Sequence, residues 1–308
     1  MNDKIRIIAV VGPTASGKTA LAVQIAKKYG GEIISADSMQ IYKGMDIATA
    51  KPTEEEKQGI PHHLMDFLEP TESFSVSQYV DLAHRAAVDI SSRGRLPVLC
   101  GGTGLYVRSF LENITFAQED TDPALREEIA GRYETLGGQS LIDHIRSFDP
   151  VTADKLLPSQ RKRIIRVIEL YESTGRTMSQ QLEDSRKEPS PYDVTAIGLT
   201  CADRQKLYDR INRRVDIMLS QGLLEEARQF YAGYKGQTAS AAIGYKELKP
   251  YLDGEISLEQ AVEKLKQETR HYAKRQLTWF RRDEYIRWIE TDKCADILSE
   301  AEKIIDTL

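Results

Sequence analysis

The stretch Gly12-Pro13-Thr14-Ala15-Ser16-Gly17-Lys18-Thr19 decides the fold of this 308-residue chain. It matches the P-loop pattern GxxxxGK[ST], follows the apolar run Ile5–Val11 and precedes a helical pattern. In that context, backbone N–H groups at the start of a helix form a nest for phosphate oxygens. Lys18 adds a positive charge, and the Thr19 hydroxyl is a ligand suited to Mg²⁺. All residues of this motif are therefore predicted to bind a diphosphate-bearing ligand.

Alternating strand and helix patterns surround the P-loop. Strands are predicted at Ile5–Val11, Glu32–Ser35 and Leu96–Cys100, and helices at about 18–29 and 75–93. Alternation of this kind is typical of a parallel sheet with crossover helices. We therefore expect an α/β fold, in which a P-loop-containing parallel sheet is flanked by helices.

A helical insertion is predicted to interrupt this core. It begins near Gln118, before the turn-forming cluster Asp120–Pro123, and ends at the charged, proline-rich stretch Arg186–Pro191. We expect a P-loop catalytic core of residues 1–117 and 190–308 and a helical insertion domain of residues 118–189. Helices are predicted at 124–147 and 158–174, a returning strand at 192–199, helices capped by Asp203 and Ser257, a short strand at 285–289 and a terminal helix from about 295.

Composition and charge limit the class of protein. The chain is 41% hydrophobic and 29% charged, as is usual for a globular protein. It contains no apolar run near the ~20 residues of a membrane span, and its beginning leaves no room for a signal peptide. Its three cysteines are isolated from one another. We therefore expect a cytoplasmic protein with reduced thiols and no membrane partner.

Three basic runs stand out against the net charge of -5. Gln160–Arg166 carries four cations and no acid, Arg270–Arg282 carries five cations interleaved with aromatic residues, and Arg210–Arg214 is a shorter run. Each of them alone is often a solvated face. Three such runs in a net-acidic protein favour a polyanionic partner.

Nucleotide hydrolases with a P-loop hold Mg²⁺ with a carboxylate at the end of a second strand, and this chain has no acid at the corresponding position. The strand Leu96–Cys100 ends instead in Gly101-Gly-Thr-Gly104, a flexible loop with a hydroxyl at Thr103 that can approach a ligand closely. The alternative is a tight turn in which Thr103 caps the next helix.

The nearest acid is Asp37, just past the second strand. Because ligands bind outside the carboxyl ends of strands in open α/β sheets, Asp37 is expected to face Lys18 and Thr19. It could fix Mg²⁺ through water or accept a proton from a nucleophile, or it could only start a turn. Gln40 is a residue type that pairs bidentately with adenine.

The chain resembles the tRNA dimethylallyltransferase family, also called tRNA isopentenyltransferases. The strings that carry the resemblance occur in order between Gly12 and Arg282: GPTASGKT, SADSMQIYKGMDIATAKP, PHHLMD, GGTGLYVR, RIIRVIELYESTG, AIGYKEL and HYAKRQLTWFRR. The zinc-finger extension of eukaryotic members is absent, which indicates a bacterial-type member.

The resemblance implies that the P-loop holds the diphosphate of dimethylallyl diphosphate, with Mg²⁺ as cofactor on Thr19. It implies transfer of the dimethylallyl group to N6 of the adenosine 3′ of the anticodon, in tRNAs that read codons beginning with U, with release of diphosphate. The implied partners are the tRNA anticodon stem-loop and dimethylallyl diphosphate. A monomer is our expectation, although the sequence does not fix the oligomeric state or the position of the prenyl pocket.

The resemblance also implies residue roles. Asp37 takes the N6 proton and Thr103 lies beside the reacting atoms. Arg214 clamps the diphosphate, with Arg210 and Arg213 as alternatives in a shifted register. The tRNA contacts implied are Asp37, Ser38, Met39, Gln40, Thr103, Arg126, Arg161, Lys162, Arg163, Ile164, Ile165, Arg166, Ala242, Ile243, Gly244, Tyr245, Lys246 and Glu247.

Two other functions fit the motifs. One is an enzyme of free nucleotides or small molecules, either an adenine-nucleotide prenyltransferase or a small-molecule kinase. The other is a nucleotide-gated RNA-binding module without turnover. The basic runs and the helical insertion favour a large polyanionic substrate over the first of these, since an enzyme of free nucleotides has no need of them. The RNA-binding module differs from the leading hypothesis in having no product, so Asp37→Ala would leave it nothing to lose.

Overall fold

The computed structural model of the chain describes residues 4–114, 122–185, 187–234 and 238–307. The chain divides into two compact units, Met1–Leu111 with Ser190–Leu308, and Glu112–Pro189. The second unit thus begins six residues before the expected boundary at 118 and ends at the expected one. Of the predicted boundary residues, Gln118, Asp120 and Arg186 lie outside the described residues.

Within the described ranges, the first unit contains a six-stranded parallel sheet of order β3-β2-β4-β1-β5-β6. The strands are β1 (Ile5–Val11), β2 (Gly31–Ser35), β3 (His62–His63), β4 (Leu96–Gly101), β5 (Tyr192–Thr200) and β6 (Arg287–Glu290). β1 pairs with β4 from Ile8 and Val98 and with β5 from Ile5 and Tyr192. Because all strands run the same way, the carboxyl ends of β1, β2 and β4 meet at one edge.

The helices of the described residues follow the predicted alternation. They are α1 (Lys18–Tyr29), α2 (Glu54–Lys57), α3 (Val76–Ser92), α4 (Gly104–Leu111), α5 (Pro123–Arg146), α6 (Pro150–Ala153), α7 (Arg161–Thr174), α8 (Met178–Asp184), α9 (Arg204–Ser220), α10 (Leu223–Gly233), α11 (Tyr245–Leu252), α12 (Leu258–Phe280) and α13 (Ile297–Asp306), with a 3₁₀ turn at Thr238–Ala241. None of them is long and apolar enough to cross a membrane.

The caps predicted at Asp203 and Ser257 are confirmed, and Ser75 caps α3 in the same way. The Ser75 hydroxyl accepts from the Gln78 N–H, Asp203 accepts from Gln205, and Ser257 forms a capping box with Gln260. Each cap satisfies a donor that the first helical turn leaves without an intrahelical partner. The sequence signals therefore fix the starts of α3, α9 and α12.

The core of the first unit explains why β1 is apolar on both faces. Ile8 and Val10 pack against α1 and α13, through residues such as Ile25 and Ile305. The intervening residues of β1 are also fully buried. A strand covered on both faces reads as a continuous apolar run, which is the pattern that opens the chain.

The second unit consists of α5 to α8 and has its own apolar core. Ile142, Ile145, Ile164 and Ile168 belong to this cluster. Within α5, Gly137 has a φ of +79°, so the helical path is broken there and continues in a new direction. The predicted single helix over 124–147 is therefore two helical segments.

Candidate active site

Three loops at the carboxyl edge of the sheet line one cavity of about 320 Å³ in the first unit. They are the P-loop after β1, the loop after β2 that carries Asp37, and the Gly101–Gly104 loop, whose first residue, Gly101, ends β4 and is the one that lines the cavity. This volume lies within the ~300–1,000 Å³ that small-molecule sites occupy. The prediction that Asp37 faces the same crevice as Lys18 and Thr19 is confirmed, since all three line the cavity.

The P-loop adopts the conformation that its glycines permit. Gly12 has a φ of +147°, and a Cβ there would lie 2.6 Å from the Leu199 carbonyl oxygen. Gly17 has a φ of +90° and precedes the first residue of α1. Of the eight predicted residues, Thr14, Lys18 and Thr19 line the cavity. The others belong to the loop that leads into the N-terminus of α1, the type of position at which backbone N–H groups bind phosphate.

Burial lowers the pKa of the Lys18 ammonium, which faces Cys100, Arg214 and Asp37. Its Nζ donates to the Pro13 carbonyl oxygen at 3.2 Å. Burial also raises the pKa of the Cys100 thiol to about 11, so this thiol is neutral near pH 7. The position at the end of β4 where nucleotide hydrolases carry an acid thus holds a neutral group.

Asp37 both starts a turn and faces the cavity, so the two interpretations of this residue are compatible. Its Oδ1 accepts from the backbone N–H groups of Met39 at 2.9 Å and Gln40 at 3.4 Å. These bonds hold the carboxylate in a fixed orientation.

Thr103 supports this loop from the neighbouring strand end. Its hydroxyl oxygen accepts from the Ser38 N–H at 3.0 Å and lies 3.3 Å from the Ser38 hydroxyl. Ser38 lines the cavity, whereas Thr103 does not. Thr103 therefore stabilises the loop that carries Asp37.

The Gln40 amide is already used within the protein. Its oxygen is 3.2 Å from the Ser35 hydroxyl, and its nitrogen donates to the carbonyl oxygens of Thr49 at 3.1 Å and Ala50 at 3.2 Å. Bidentate pairing of this amide with adenine is therefore not available in the present arrangement. Gln40 instead fixes the 49–50 segment, which lines the cavity with it.

Among the three candidate arginines, Arg214 lines the cavity. Its Nη1 is 3.4 Å from the Thr14 hydroxyl, and burial lowers the pKa of its guanidinium. Arg210 donates to the Thr291 hydroxyl at 2.9 Å, and Arg213 is exposed. Of the three arginines, Arg214 alone lies on the face of α9 that lines the cavity, which favours it as the diphosphate clamp.

That face was missed at the sequence level. Ile211, Arg214, Val215 and Met218 of α9 all line the cavity, at the i, i+3, i+4, i+7 spacing of one helix face. The helical spacing of Ile211, Val215 and Met218 is visible in the sequence, but the arginines of the same stretch are its more prominent feature. A guanidinium and apolar side chains thus project together from a single helix.

A second such face lies on α12. Leu265, Thr269, Tyr272 and Gln276 recur every three or four residues and line the same cavity. Burial raises the pKa of the Tyr272 phenol, so it is protonated near pH 7. The sequence itself indicated only a basic run interleaved with aromatic residues in this part of α12.

The segment 242–247 divides between the cavity and the fold. The residues that line the cavity are Ala242, Ile243, Gly244 and Lys246. Tyr245 is buried and donates its hydroxyl to Glu226 at 2.9 Å, and the buried Glu247 accepts from the Gly244 N–H at 2.9 Å. The side chains of Tyr245 and Glu247 therefore stabilise the segment and present no exposed group to a nucleic acid.

In the second unit, α7 begins with three exposed cations, Arg161, Lys162 and Arg163. The next two residues, Ile164 and Ile165, are buried in the helical core. Their side chains are therefore unavailable to a tRNA, because the helix period turns them inward.

Two further cations of this unit share one acid. Arg126 and Arg166 approach the same oxygen of the buried Glu169, at 3.0 Å and 3.1 Å. This carboxylate orients both guanidinium groups.

No group of three or more His, Cys, Asp or Glu side chains in the described part of the chain is arranged to hold a metal ion. The Thr19 hydroxyl, which contacts the Cys100 thiol, and the Asp37 carboxylate are oxygen donors on the same cavity.

Comparison with known sequences matches the described site to one family. The family model described as IPP transferase matches residues 40–283, and the one described as Isopentenyl transferase matches residues 5–67. The tRNA dimethylallyltransferase of Acetivibrio thermocellus is 48% identical, over 98% of this chain and 96% of its own length. That of Bacillus subtilis is 46% identical, over 96% of this chain and 94% of its own.

Solved structures agree. The full-length tRNA isopentenylpyrophosphate transferase of Bacillus halodurans has a TM-score of 0.73 and 44% identity, covering 99% of this chain and 95% of that one. A eukaryotic dimethylallyltransferase acting on tRNA has a TM-score of 0.83 and 29% identity, covering 97% of this chain and 78% of that one.

Proposed function

This chain belongs to the tRNA dimethylallyltransferase family, and we propose that it acts on N6 of the adenosine 3′ of the anticodon in tRNAs that read codons beginning with U. It is a transferase that prenylates adenosine in tRNA. The donor in our proposal is dimethylallyl diphosphate, and the products are the prenylated tRNA and diphosphate.

The observation that carries the proposal is a cavity whose lining combines cations beside the P-loop with a large set of apolar side chains. Lys18 and Arg214 lie beside the P-loop, where they match a diphosphate. The apolar side chains of the same cavity are Met39, Ala48, Ile211, Val215, Met218, Leu223, Ala242, Ile243 and Leu265. A five-carbon allylic group is the apolar partner that such a surface would accept, and these residues are our candidates for the prenyl pocket.

The transfer exchanges one bond for another. The N6 lone pair forms a bond to the allylic carbon, and the electron pair of the breaking carbon–oxygen bond leaves with diphosphate. Asp37 accepts the N6 proton. Its Oδ1 is held by the turn, so the carboxylate is oriented before the base arrives. Thr103 contributes by holding Ser38, the residue next to this base.

Charge that builds on the departing diphosphate is met by fixed donors. Lys18, Arg214 and the P-loop N–H groups are in place beforehand, so they need no reorganisation during the reaction. Enclosure makes each charge more effective than it would be in water.

The oxygen donors on the cavity fit Mg²⁺, which binds phosphates with one or two protein oxygens. In our proposal the Thr19 hydroxyl holds it, with Asp37 close by on the same wall. When bound, the ion neutralises diphosphate charge.

Recognition of the tRNA is assigned to cations of the second unit, of which Arg166 is half-buried and the others are exposed. Arg126, Arg161, Lys162, Arg163 and Arg166 are proposed to contact phosphates of the anticodon arm, with Lys246 and the cavity wall near the acceptor base. Taking the base out of its stack costs a few kcal/mol, which these contacts must offset. Such a substrate, together with three free cysteines, supports a cytoplasmic location.

The test is incubation of the protein with labelled dimethylallyl diphosphate and either unmodified tRNA or AMP. We expect label in tRNA alone, at the adenosine 3′ of the anticodon. Label in AMP and none in tRNA would contradict the proposal, as would brisk ATP hydrolysis without any prenyl transfer.

A further inference from the structure

One buried side chain joins two of the loops on which the proposed reaction depends. Gln276 of α12 is 5% exposed. Its Oε1 accepts from the Thr14 N–H of the P-loop at 2.8 Å, and its Nε2 donates to the Gly102 carbonyl oxygen of the Gly101–Gly104 loop at 3.0 Å. Both ends of a single amide are thus used to link two different strand ends.

The glycine at position 102 makes this link possible. A Cβ at Gly102 would lie 2.1 Å from the Gln276 Nε2, closer than any real contact. The amide comes from a residue 174 positions away in the chain. Without it, a backbone donor of one loop and a backbone acceptor of the other would lose their partners, at a cost of about 1–3 kcal/mol for each buried group.

The contacts continue from this amide to the loop of Asp37. Next to Gly102, Thr103 holds the Ser38 N–H through its hydroxyl. Because Gly102 and Thr103 are neighbours in the chain, the hydrogen bonds of Gln276 and Thr103 together connect the P-loop to the segment that carries the proton acceptor.

We propose that Gln276 is a positioning residue that fixes the P-loop relative to the Gly101–Gly104 loop, and through it the leaving diphosphate relative to the acceptor base. The chemical identity of those two groups rests on the proposed function. The link itself rests on the two hydrogen bonds. Gln276 acts by geometry and takes no proton.

This role predicts an effect on the rate of transfer more than on tRNA affinity. A misplacement of about 1 Å between reacting groups costs about 10²-fold in rate. We expect Gln276→Ala to lower the single-turnover rate by roughly 10- to 100-fold. The tRNA KM should stay within about twofold, because the tRNA-binding cations proposed above do not contact this amide.

Gly102→Ala gives an independent route to the same defect, since its Cβ displaces the amide. Once Gln276→Ala has removed the link, Gly102→Ala has little more to break, so the double variant should be about as slow as either single one. Gln267→Ala is the matched control, because Gln267 is exposed on the same helix. It should transfer at the wild-type rate. Gln276→Leu retains volume if the alanine variant does not fold.

The outcomes separate this inference from the proposed function. A wild-type rate in Gln276→Ala, or losses that multiply in the double variant, would overturn the positioning role while leaving the tRNA prenyltransferase assignment intact. Should the wild type label no tRNA, the proposed function fails, and the affinity for inorganic diphosphate then tests the link alone. We expect that affinity to be about tenfold weaker in Gln276→Ala, and equal affinities would refute the inference.

Discussion

The two units use the same cationic residue types in opposite ways. In the first unit, Lys18 and Arg214 line a cavity, and burial lowers the pKa of both. In the second, Arg161, Lys162 and Arg163 are exposed. Enclosed charges act strongly on a ligand in fixed geometry, whereas exposed charges are screened by salt within about a Debye length. The comparison predicts that the enclosed cations act in the chemical step and the exposed ones in tRNA binding.

The start of α7 supports this distinction. Its first turn contains three cations and no acid, and the preceding Gln160 makes no side-chain cap. Positive charge at a helix N-terminus opposes the helix dipole at a cost of about 0.3–1 kcal/mol per charge. A sequence that accepts this cost in stability gains a surface suited to phosphate groups.

The largest effect is expected at Asp37, the acid that faces the enclosed cations. Asp37→Asn keeps an oxygen that accepts from Met39, so the turn should survive while proton acceptance is lost. General-base catalysis contributes about 10²–10⁴-fold, and we expect a loss of that size in the single-turnover rate, with tRNA affinity retained. Asp81→Asn, an exposed acid on α3, is the control. Unchanged turnover in Asp37→Asn would refute its assignment as the base.

Next in size is the contrast between two adjacent arginines. Arg214→Ala removes an enclosed donor near Thr14 and should lower kcat by about 10²–10³-fold. Arg213→Ala removes an exposed cation from the same helix and should leave kcat nearly unchanged. Steady-state kinetics on both variants measures the difference, and equal losses would show that exposure does not separate their roles.

A smaller and different effect is expected in the second unit. Arg161→Ala and Lys162→Ala should each weaken tRNA binding about equally for all sequences and lower the slope of log K against log salt by about one. Filter binding across a salt series measures this slope. A loss of kcat at saturating tRNA with an unchanged slope would contradict the distinction between the units.

The smallest effect is a pH dependence of diphosphate binding. Because burial lowers the pKa of Lys18, its ammonium is charged on the acid side and loses its proton at a lower pH than an exposed lysine does. Affinity for inorganic diphosphate should therefore fall as pH rises, by at most about tenfold per unit. Lys18→Arg keeps its charge and should shift this decline upward. Titration calorimetry of both proteins from about pH 7 to about pH 10 makes the comparison, and identical profiles would exclude Lys18 as the titrating group.

Local signals predicted most of the elements of the first unit. The first strand and the P-loop helix were expected at the residues where the structure has them, Ile5–Val11 and Lys18–Tyr29. Caps at Asp203 and Ser257 were equally clear, since a cap depends on neighbours within one turn, whereas for α3 the sequence left Ser73 and Ser75 as alternatives and the structure has Ser75. Short elements such as β3 and α11 were not predicted, because a few residues carry too little periodicity.

Cavity-lining residues were predicted where the sheet topology brings known motifs together, and they were not predicted where segments distant in the chain pack against each other. Lys18 and Asp37 follow strands of one parallel sheet, so the topology alone brings them together. The cavity-lining faces of α9 and α12 were not predicted, because charged residues dominate both stretches of sequence. The role of Gln40 was also not predictable, because its amide donates to the carbonyl oxygens of Thr49 and Ala50, which no motif could place beside it.

By itself, the sequence determined that this chain folds as a P-loop α/β protein, and it predicted a diphosphate site and basic runs suited to a polyanion, because those properties arise from short-range patterns of backbone, charge and periodicity. The tertiary structure alone decided that Arg214 reaches the cavity and Arg213 does not, that Ile164 and Ile165 face a core, and that Gln276 links two loops. These depend on packing between segments far apart in the chain, where a rotation of one residue along a helix changes the exposed face by about 100°.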